Sequence, residues 1–375
     1  MECISNSVLA QNKCSALNHT WCRHKAYEWC DNNGWIVGCN YIPATAINQL
    51  EMWQDETFDI ICIDKELGWA EELGFNTIRV FLHHLLWEHD PVGFIHRIHQ
   101  FLTVADKHNI KTMFVLFDAV WDPYPKLGKQ PEPKLNVHNS GWVQSPGADI
   151  LKNIDAYDAL RGYVEGVIGS FKDDNRVLIW DLFNEPDNIN TASYNDDAYG
   201  VQKAELALKL LKKTFEWARA LHPIQPLTAA PWKDDWSADA VISELDNFMF
   251  SNSDIISFHS YEDKDALEKR LQHMQRFHRP LLCTEYMARH LGSTFNEIMP
   301  LLKRYNVGAF NWGFVAGKTQ THCAWDSWQT ANSNEPELWF HDIFRDNGEP
   351  FDKSEVEFIQ SMLKKKSIEQ YQKVA

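Results

Sequence analysis

The sequence predicts an α/β fold, a single (β/α)8 TIM barrel, on three observations. From Trp35 onward, short apolar runs of strand length alternate strictly with helical patterns, with no repeat or low-complexity linker between them. The run Arg176-Val177-Leu178-Ile179-Trp180-Asp181-Leu182-Phe183 reads as a strand buried on both faces, as in a parallel sheet covered by helices, and it stops abruptly at Asn184-Glu185-Pro186. The Gly-rich phosphate turn that an open doubly wound sheet would want is absent. A chain of 375 residues commonly fills one barrel with insertions, so the reading is an N-terminal extension over 1–33, one barrel over 34–365 and a tail over 366–375.

The expected strands are 35–41, 75–82, 110–117, 176–183, 225–229, 254–259, 279–284 and 307–312. Helical periodicity falls between them at about 64–73, 93–108, 156–171, 202–221, 238–248, 264–276, 294–305 and 336–344, with a last helix near 353–365. The longest connections, 42–63, 118–153, 184–201 and 313–335, all follow strands, so they crowd one rim of the barrel. They hold Trp53, Trp121, Trp142, Trp325 and Trp328, and they predict a walled pocket rather than an open groove.

Composition narrows the partners. A formal net charge of -16 and a pI near 5.4 repel polyanions, which excludes nucleic acid and anionic lipid surfaces. No apolar run is long enough to span a membrane, and no basic segment leads into an apolar one as in a signal peptide, although Ser7-Val8-Leu9-Ala10-Gln11 has the look of a clipped remnant. Of eight cysteines, Cys3, Cys14, Cys22 and Cys30 cluster near the start and are available for pairing if the protein is exported; Cys39, Cys62, Cys283 and Cys323 are scattered and read as free thiols. Asn18-His19-Thr20 is a lone glycosylation sequon. Neither a CxxC pair nor a Cys/His cluster with zinc spacing occurs, so no metal or cofactor is expected. Sixteen tryptophans and 13% aromatics fit either a Trp-rich core or a surface that stacks on sugars.

Glu185 closes the fourth strand, and Arg279-Pro280-Leu281-Leu282-Cys283-Thr284-Glu285-Tyr286 closes the seventh on a second glutamate. In a parallel barrel the strand carboxyl ends carry the chemistry, and ends four and seven face each other across the mouth. Taken together, Asn184-Glu185-Pro186 and Thr284-Glu285-Tyr286 resemble the acid/base and nucleophile strands of the retaining TIM-barrel glycoside hydrolases that include the family 5 cellulases and mannanases. The resemblance implies hydrolysis of β-linked oligo- or polysaccharides, with Glu285 attacking the anomeric carbon and Glu185 protonating the leaving oxygen. It also implies a secreted or periplasmic location.

Other positions carry the resemblance further. Arg79, in Asn76-Thr77-Ile78-Arg79-Val80-Phe81, matches an arginine near the nucleophile; Asn184 matches the asparagine on the sugar 2-hydroxyl; His259 and Tyr261 match a His-x-Tyr pair; Trp312 matches the tryptophan under the reactive sugar. At the third strand the chain departs, since Asp118-Ala119-Val120-Trp121 stands where family 5 enzymes commonly show histidine. The opening Gly38-Cys39-Asn40-Tyr41-Ile42-Pro43 resembles the barrels of family 2 exo-glycosidases, which makes Asn40, Glu51 and Trp53 candidates for reading a terminal sugar alongside Asp118 and Trp121. Exo-action is expected, with endo-cleavage as the alternative. A non-catalytic carbohydrate-binding barrel would keep the aromatics and lose a carboxylate, and a metal-dependent barrel would have to draw on His83, His84, His89 and Glu88.

Overall fold

The computed structural model describes residues 20–190, 193, 202–330 and 334–364. Cys3, Cys14, most of the sequon and the 366–375 tail lie outside them. Eight parallel strands, β1 (Val37–Asn40), β2 (Thr77–Phe81), β3 (Lys111–Val115), β4 (Val177–Asn184), β5 (Leu227–Ala230), β6 (Ile256–His259), β7 (Leu281–Tyr286) and β8 (Gly308–Asn311), run in the order β5-β4-β3-β2-β1-β8-β7-β6. All but one of their residues are buried, which is why the strands read as continuous apolar runs.

The β5–β6 seam closes without a regular ladder. Asp254 N donates to the Leu227 carbonyl at 2.8 Å, His259 N to that of Pro231 at 3.1 Å, and Ser257 N to Thr228 Oγ1 at 3.1 Å. Asp254 fastens the lower end of the seam: its buried carboxylate accepts from Trp21 N (2.6 Å), Leu227 N (2.9 Å) and Arg219 Nη1 (2.6 Å). The fold is therefore a closed (β/α)8 barrel. Close packing on the opposite side needs Gly38, because a Cβ there would stand 1.6 Å from the Thr77 carbonyl oxygen.

Twelve α-helices are described: α1 (Arg23–Asn33), α2 (Gln49–Trp53), α3 (Ile60–Leu73), α4 (His84–His89), α5 (Pro91–Lys107), α6 (Ala148–Leu151), α7 (Tyr157–Phe171), α8 (Lys203–Ala220), α9 (Glu244–Asn252), α10 (Lys264–Met274), α11 (Phe295–Arg304) and α12 (Lys353–Leu363). Their starts follow local chemistry. Asp59, Asp90, Ser243, Asp263 and Asp352 each accept a backbone N–H of the first turn. Ser243 is the reason α9 begins at Glu244 rather than near 238. Helix α1, which periodicity did not reveal, seals the amino-terminal end of the barrel, where Ala26 packs with Ile36, Met113, Ile179 and Phe310.

The helix expected at 336–344 does not form. Residues 339–344 are all buried, which a one-sided helix cannot achieve, and the Trp339, His341 and Asp342 carbonyls instead accept from the Arg289 guanidinium, itself paired with Glu355 of α12 at 2.6 Å. Cys30, Cys39, Cys62, Cys283 and Cys323 are free thiols, so Cys30 is not paired as the opening cluster suggested.

The seam should be the weak point of barrel closure. Asp254→Ala strands the Arg219 guanidinium and two backbone donors, and should cost about 3 kcal/mol of stability, read as a lowered denaturant midpoint at an unchanged slope.

Candidate active site

The carboxyl ends of the strands open into a cleft of about 500 Å³ lined by Asp118, Trp121, His138, Asn184, Glu185 and Glu285, with Trp232, Tyr261, Trp312 and Trp325 around its walls. Both glutamates reach it through the same backbone device. Along β4, Asp181 pairs with Thr228 and Asn184 with Ala230, so three steps face two; along β7, Phe258 faces Cys283 while His259 faces Glu285, so two steps face one. Each strand thus carries an extra residue just before its glutamate. Such a bulge reverses the side-chain alternation locally and re-aims the side chains beyond it. Glu185 itself sits at φ +42°, and Met287, two residues beyond Glu285, at +80°, a region L-residues avoid except where the surroundings enforce it.

Beneath the cleft, Arg79 is fully buried and organises four strands. Its Nε and Nη2 donate to Asp181 Oδ2 (3.1 and 2.8 Å), Nη1 to Asn40 Oδ1 (2.8 Å) and Glu285 Oε1 (2.9 Å), and Nη2 also to Asn184 Oδ1 (2.6 Å). Asn184 passes the order on, since its Nδ2 donates to Asp118 Oδ1 at 2.9 Å. Asp118 takes Trp142 Nε1 on its other oxygen at 2.7 Å. Burial pushes the Asp118 carboxyl up to about 6, against the pull of those donors.

The two glutamates differ in their partners. Glu285 receives Arg79 on Oε1 and the Tyr261 hydroxyl on Oε2 at 2.8 Å. Burial raises its pKa and so does Glu185, while His259, Arg79 and Tyr261 oppose them. Glu185 has no guanidinium in contact; His259 Nδ1 lies 2.6 Å from its Oε1 and Asn188 Nδ2 donates to its Oε2 at 2.6 Å. Burial drives Glu185 up to about 7, with Asn188 pulling the other way. Arg79 and the Tyr261 hydroxyl thus favour the ionised form of Glu285, a contact that Glu185 does not share. His259 is held neutral, its pKa lowered to about 4 chiefly by burial. Its Nε2 is buried without a partner, so the ring proton belongs on Nδ1, between Glu185 and, at 3.5 Å, Glu285.

One ligand atom each of Glu185, His259 and Glu285 lie within 4.8 Å of one another. A cation there would share the space with the Arg79 guanidinium, which already neutralises Glu285. The histidines of the metal alternative are spent elsewhere: His83 Nε2 meets the Gln144 carbonyl at 3.0 Å, His83 Nδ1 accepts from Leu85 N, and His84 Nδ1 meets Ser145 Oγ at 3.0 Å.

Of the residues singled out in the sequence, the structure brings Arg79, Asn184, Glu185, His259, Tyr261, Glu285 and Trp312 together around one cleft, with Asp118 and Trp121 on its wall. Asn40 stands one layer below, on Arg79. Two others do not reach the cleft. Trp53 is fully buried, donates to the Phe81 carbonyl at 2.9 Å and packs on Phe94 and Phe101. Glu51 accepts from Ile47 N at 2.7 Å and pairs with Lys318 at 2.6 Å, so it ties loops rather than facing a ligand. Sequence reasoning passed over His138, Asn188, Trp232 and Lys203, which sit in the loops or at a helix start where no periodicity marks them. Lys203 is buried and donates to the Ala119 carbonyl at 2.6 Å and to that of Asn188, clamping the turn that carries Glu185; burial lowers its pKa to about 7.

No protein-family model and no curated protein matches the sequence. Solved structures do match in fold. GH5_18 from Streptomyces cattleya, solved with GlcNAc, superposes with a TM-score of 0.55 at 12% identity over 91% of this chain and 81% of that one. A β-1,4-mannanase from the sea hare Aplysia kurodai gives 0.54 at 16% identity, over 80% of this chain and 95% of that one. Bacteroides uniformis β-glucuronidase 2 gives 0.57 at 13% identity, over 89% of this chain but 35% of its own longer one. The chain shares the (β/α)8 barrel of these proteins.

Proposed function

We propose that the protein is a retaining β-glycosidase in which Glu285 is the nucleophile and Glu185 the acid/base. The observation that carries this reading is the unequal treatment of two facing carboxylates. Arg79 and Tyr261 favour the ionised form of Glu285, whereas burial pushes Glu185 up to about 7, so that it keeps its proton for the leaving oxygen. Their approach within 4.8 Å suits the roughly 5–5.5 Å carboxyl spacing of double displacement and leaves no room for the water of an inverting enzyme. Once Glu285 is glycosylated its charge is gone, and the repulsion that helped keep Glu185 protonated disappears, so Glu185 then accepts a proton from water. The enzymes among the structural relatives point to the same reaction class. Extended β-linked glycans as substrates suit a secreted or periplasmic protein, and no helix among the described residues is long and apolar enough to cross a membrane.

We infer exo-action from the walls. The loop after β3 and the loop after β8 are hydrogen-bonded to each other: Asn139 N donates to the Thr319 carbonyl (2.7 Å), Asn136 N to Gln320 Oε1 (2.7 Å), His138 N to Ser327 Oγ (3.0 Å) and Trp328 Nε1 to the His138 carbonyl (2.7 Å). The loop after β1 joins both, through Asn48 Nδ2 to the Gly141 carbonyl (2.8 Å) and the Glu51–Lys318 pair. Through His138, His341 and Tyr261 this joined wall reaches the Glu285 side of the cleft, where the non-reducing sugar would lie. A pocket closed there accepts a chain end and stops a polymer from threading through.

Glu285→Ala should lower kcat by at least about 10⁴-fold, a loss typical of removing a catalytic nucleophile, and azide should restore turnover with inverted product. Near wild-type activity in this variant would sink the assignment. In wild type, kcat/KM should fall as pH rises through about 7, because the Glu185 proton is lost. Asn188→Ala should move that limb upward, since its hydrogen bond favours the ionised carboxylate; an unmoved or lowered limb would contradict the assignment. On a soluble β-glycan, reducing ends should accumulate while viscosity stays nearly constant. A rapid viscosity drop at low reducing-end release would mean endo-cleavage.

A further inference from the structure

The closed wall also carries a recognition element. His138 lies on the cleft in the loop after β3, with its ring centroid 5.4 Å from that of Trp121 and 5.4 Å from that of His341; the His341 ring in turn packs 5.6 Å from Tyr261, whose hydroxyl is on Glu285. It is therefore on the nucleophile's side, where the sugar to be transferred must sit. His138 Nδ1 is 2.8 Å from the Cys323 carbonyl, which can only accept, so Nδ1 carries the proton and Nε2 is left as a lone-pair acceptor. Its backbone N–H and carbonyl are both taken by the loop after β8, through Ser327 Oγ and Trp328 Nε1, so the ring cannot turn to present the other nitrogen without breaking the wall. Beside it, the fully buried Asn139 holds both amide atoms unpartnered between the cleft and a small cavity under Trp312.

We propose that His138 is a specificity-determining residue whose Nε2 accepts a hydrogen bond from the 6-hydroxyl of the terminal sugar, so that the enzyme takes neutral sugars at the non-reducing end and rejects uronic acids. The inference rests on the glycosidase reading and adds the substrate class. A carboxylate set against a fixed acceptor meets lone pair with lone pair. Among the described residues that line the cleft the one lysine is Lys233, already paired with Asp187 at 2.7 Å, so no free lysine is there to neutralise a carboxylate. Burial lowers the His138 pKa to about 4, so the ring stays neutral at ordinary pH and does not become a second donor.

The test uses the full chain with 4-nitrophenyl β-glycosides: a panel of neutral sugars, the monodeoxy derivatives of the best of them, and the corresponding uronide. Wild type should hydrolyse a neutral glycoside, lose at least about 10-fold in kcat/KM on its 6-deoxy derivative, and leave the uronide untouched. H138N keeps a donor for the Cys323 carbonyl but has nothing at the Nε2 position. In it the same deoxy penalty should fall below about 3-fold, less than one neutral hydrogen bond, while the penalties at the other hydroxyls persist. H138Q, which offers an amide oxygen near the Nε2 position, should retain part of the selectivity and guards against a folding failure of H138N. An unchanged penalty pattern in both variants, or uronide turnover by wild type that rivals the neutral sugar, would overturn the role of His138 while leaving the glycosidase reading intact. Failure of wild type on every glycoside of the panel would overturn that reading, and this one with it.

Discussion

Everything at the mouth of this barrel depends on one buried cation. Arg79 is taken wholly out of water, a transfer that on its own would lower its pKa, and the charges of Asp181 and Glu285 reverse that tendency. The guanidinium fork then fixes Asn40 on β1, Asp181 and Asn184 on β4 and Glu285 on β7, which are the strands that must hold still relative to one another. A lysine could neutralise Asp181 but could not hold four acceptors in one plane. The cation explains why two carboxylates can be buried so close together. It also explains why they are unlike, because it touches one of them and not the other.

Most of this framework was legible in the sequence, and for a physical reason. Strands buried on both faces have to be apolar throughout, so Val177 to Phe183 and Leu281 to Cys283 stand out, and a charged residue that ends such a run can only be at a mouth. Asn40, Asn184 and Glu285, which gather around Arg79, sit at strand ends and could be read in the same way, whereas Asp181, inside β4, could not. Hidden from such a reading is whatever depends on contacts distant in sequence. Trp53 looks like any rim tryptophan until Phe94 and Phe101 of α5 are seen to enclose it. The run 336–344 has helical periodicity, yet Arg289 draws its carbonyls outward. The bulges before Glu185 and Glu285 could not be foreseen at all, because a bulge is a mismatch between two strands and belongs to neither sequence alone.

Those bulges join the fold to the chemistry. In β4, Ile179 packs inside the barrel with Met113 and Leu282, and Asp181 follows it inward to meet Arg79. Continued alternation would send residue 183 inward next, but Phe183 packs outward on Phe117 and Asn184 takes the inward place instead. One inserted residue thus moves the amide onto the guanidinium and brings Glu185 to the rim. The backbone strain at φ +42° is held by the succeeding turn, which Lys203 clamps from α8.

Among the described residues the rim is as asymmetric as the carboxylate pair. On one side the loops after β1, β3 and β8 bond to one another through backbone and side chain alike, so none can open alone. On the other, beyond Glu185, Asp187 bridges Trp232 Nε1 at 2.9 Å and Lys233 at 2.7 Å. Rigidity on the first side suits recognition of a sugar whose hydroxyls must be matched by fixed donors and acceptors, because ordering costs are met on folding rather than on binding. On the proposed glycosidase reading the second side meets whatever the first sugar is attached to, and there an indole beside an ion pair accommodates varied leaving groups. On the proposed glycosidase reading, selectivity for the sugar rests on the wall on the Glu285 side, which is hydrogen-bonded across three loops.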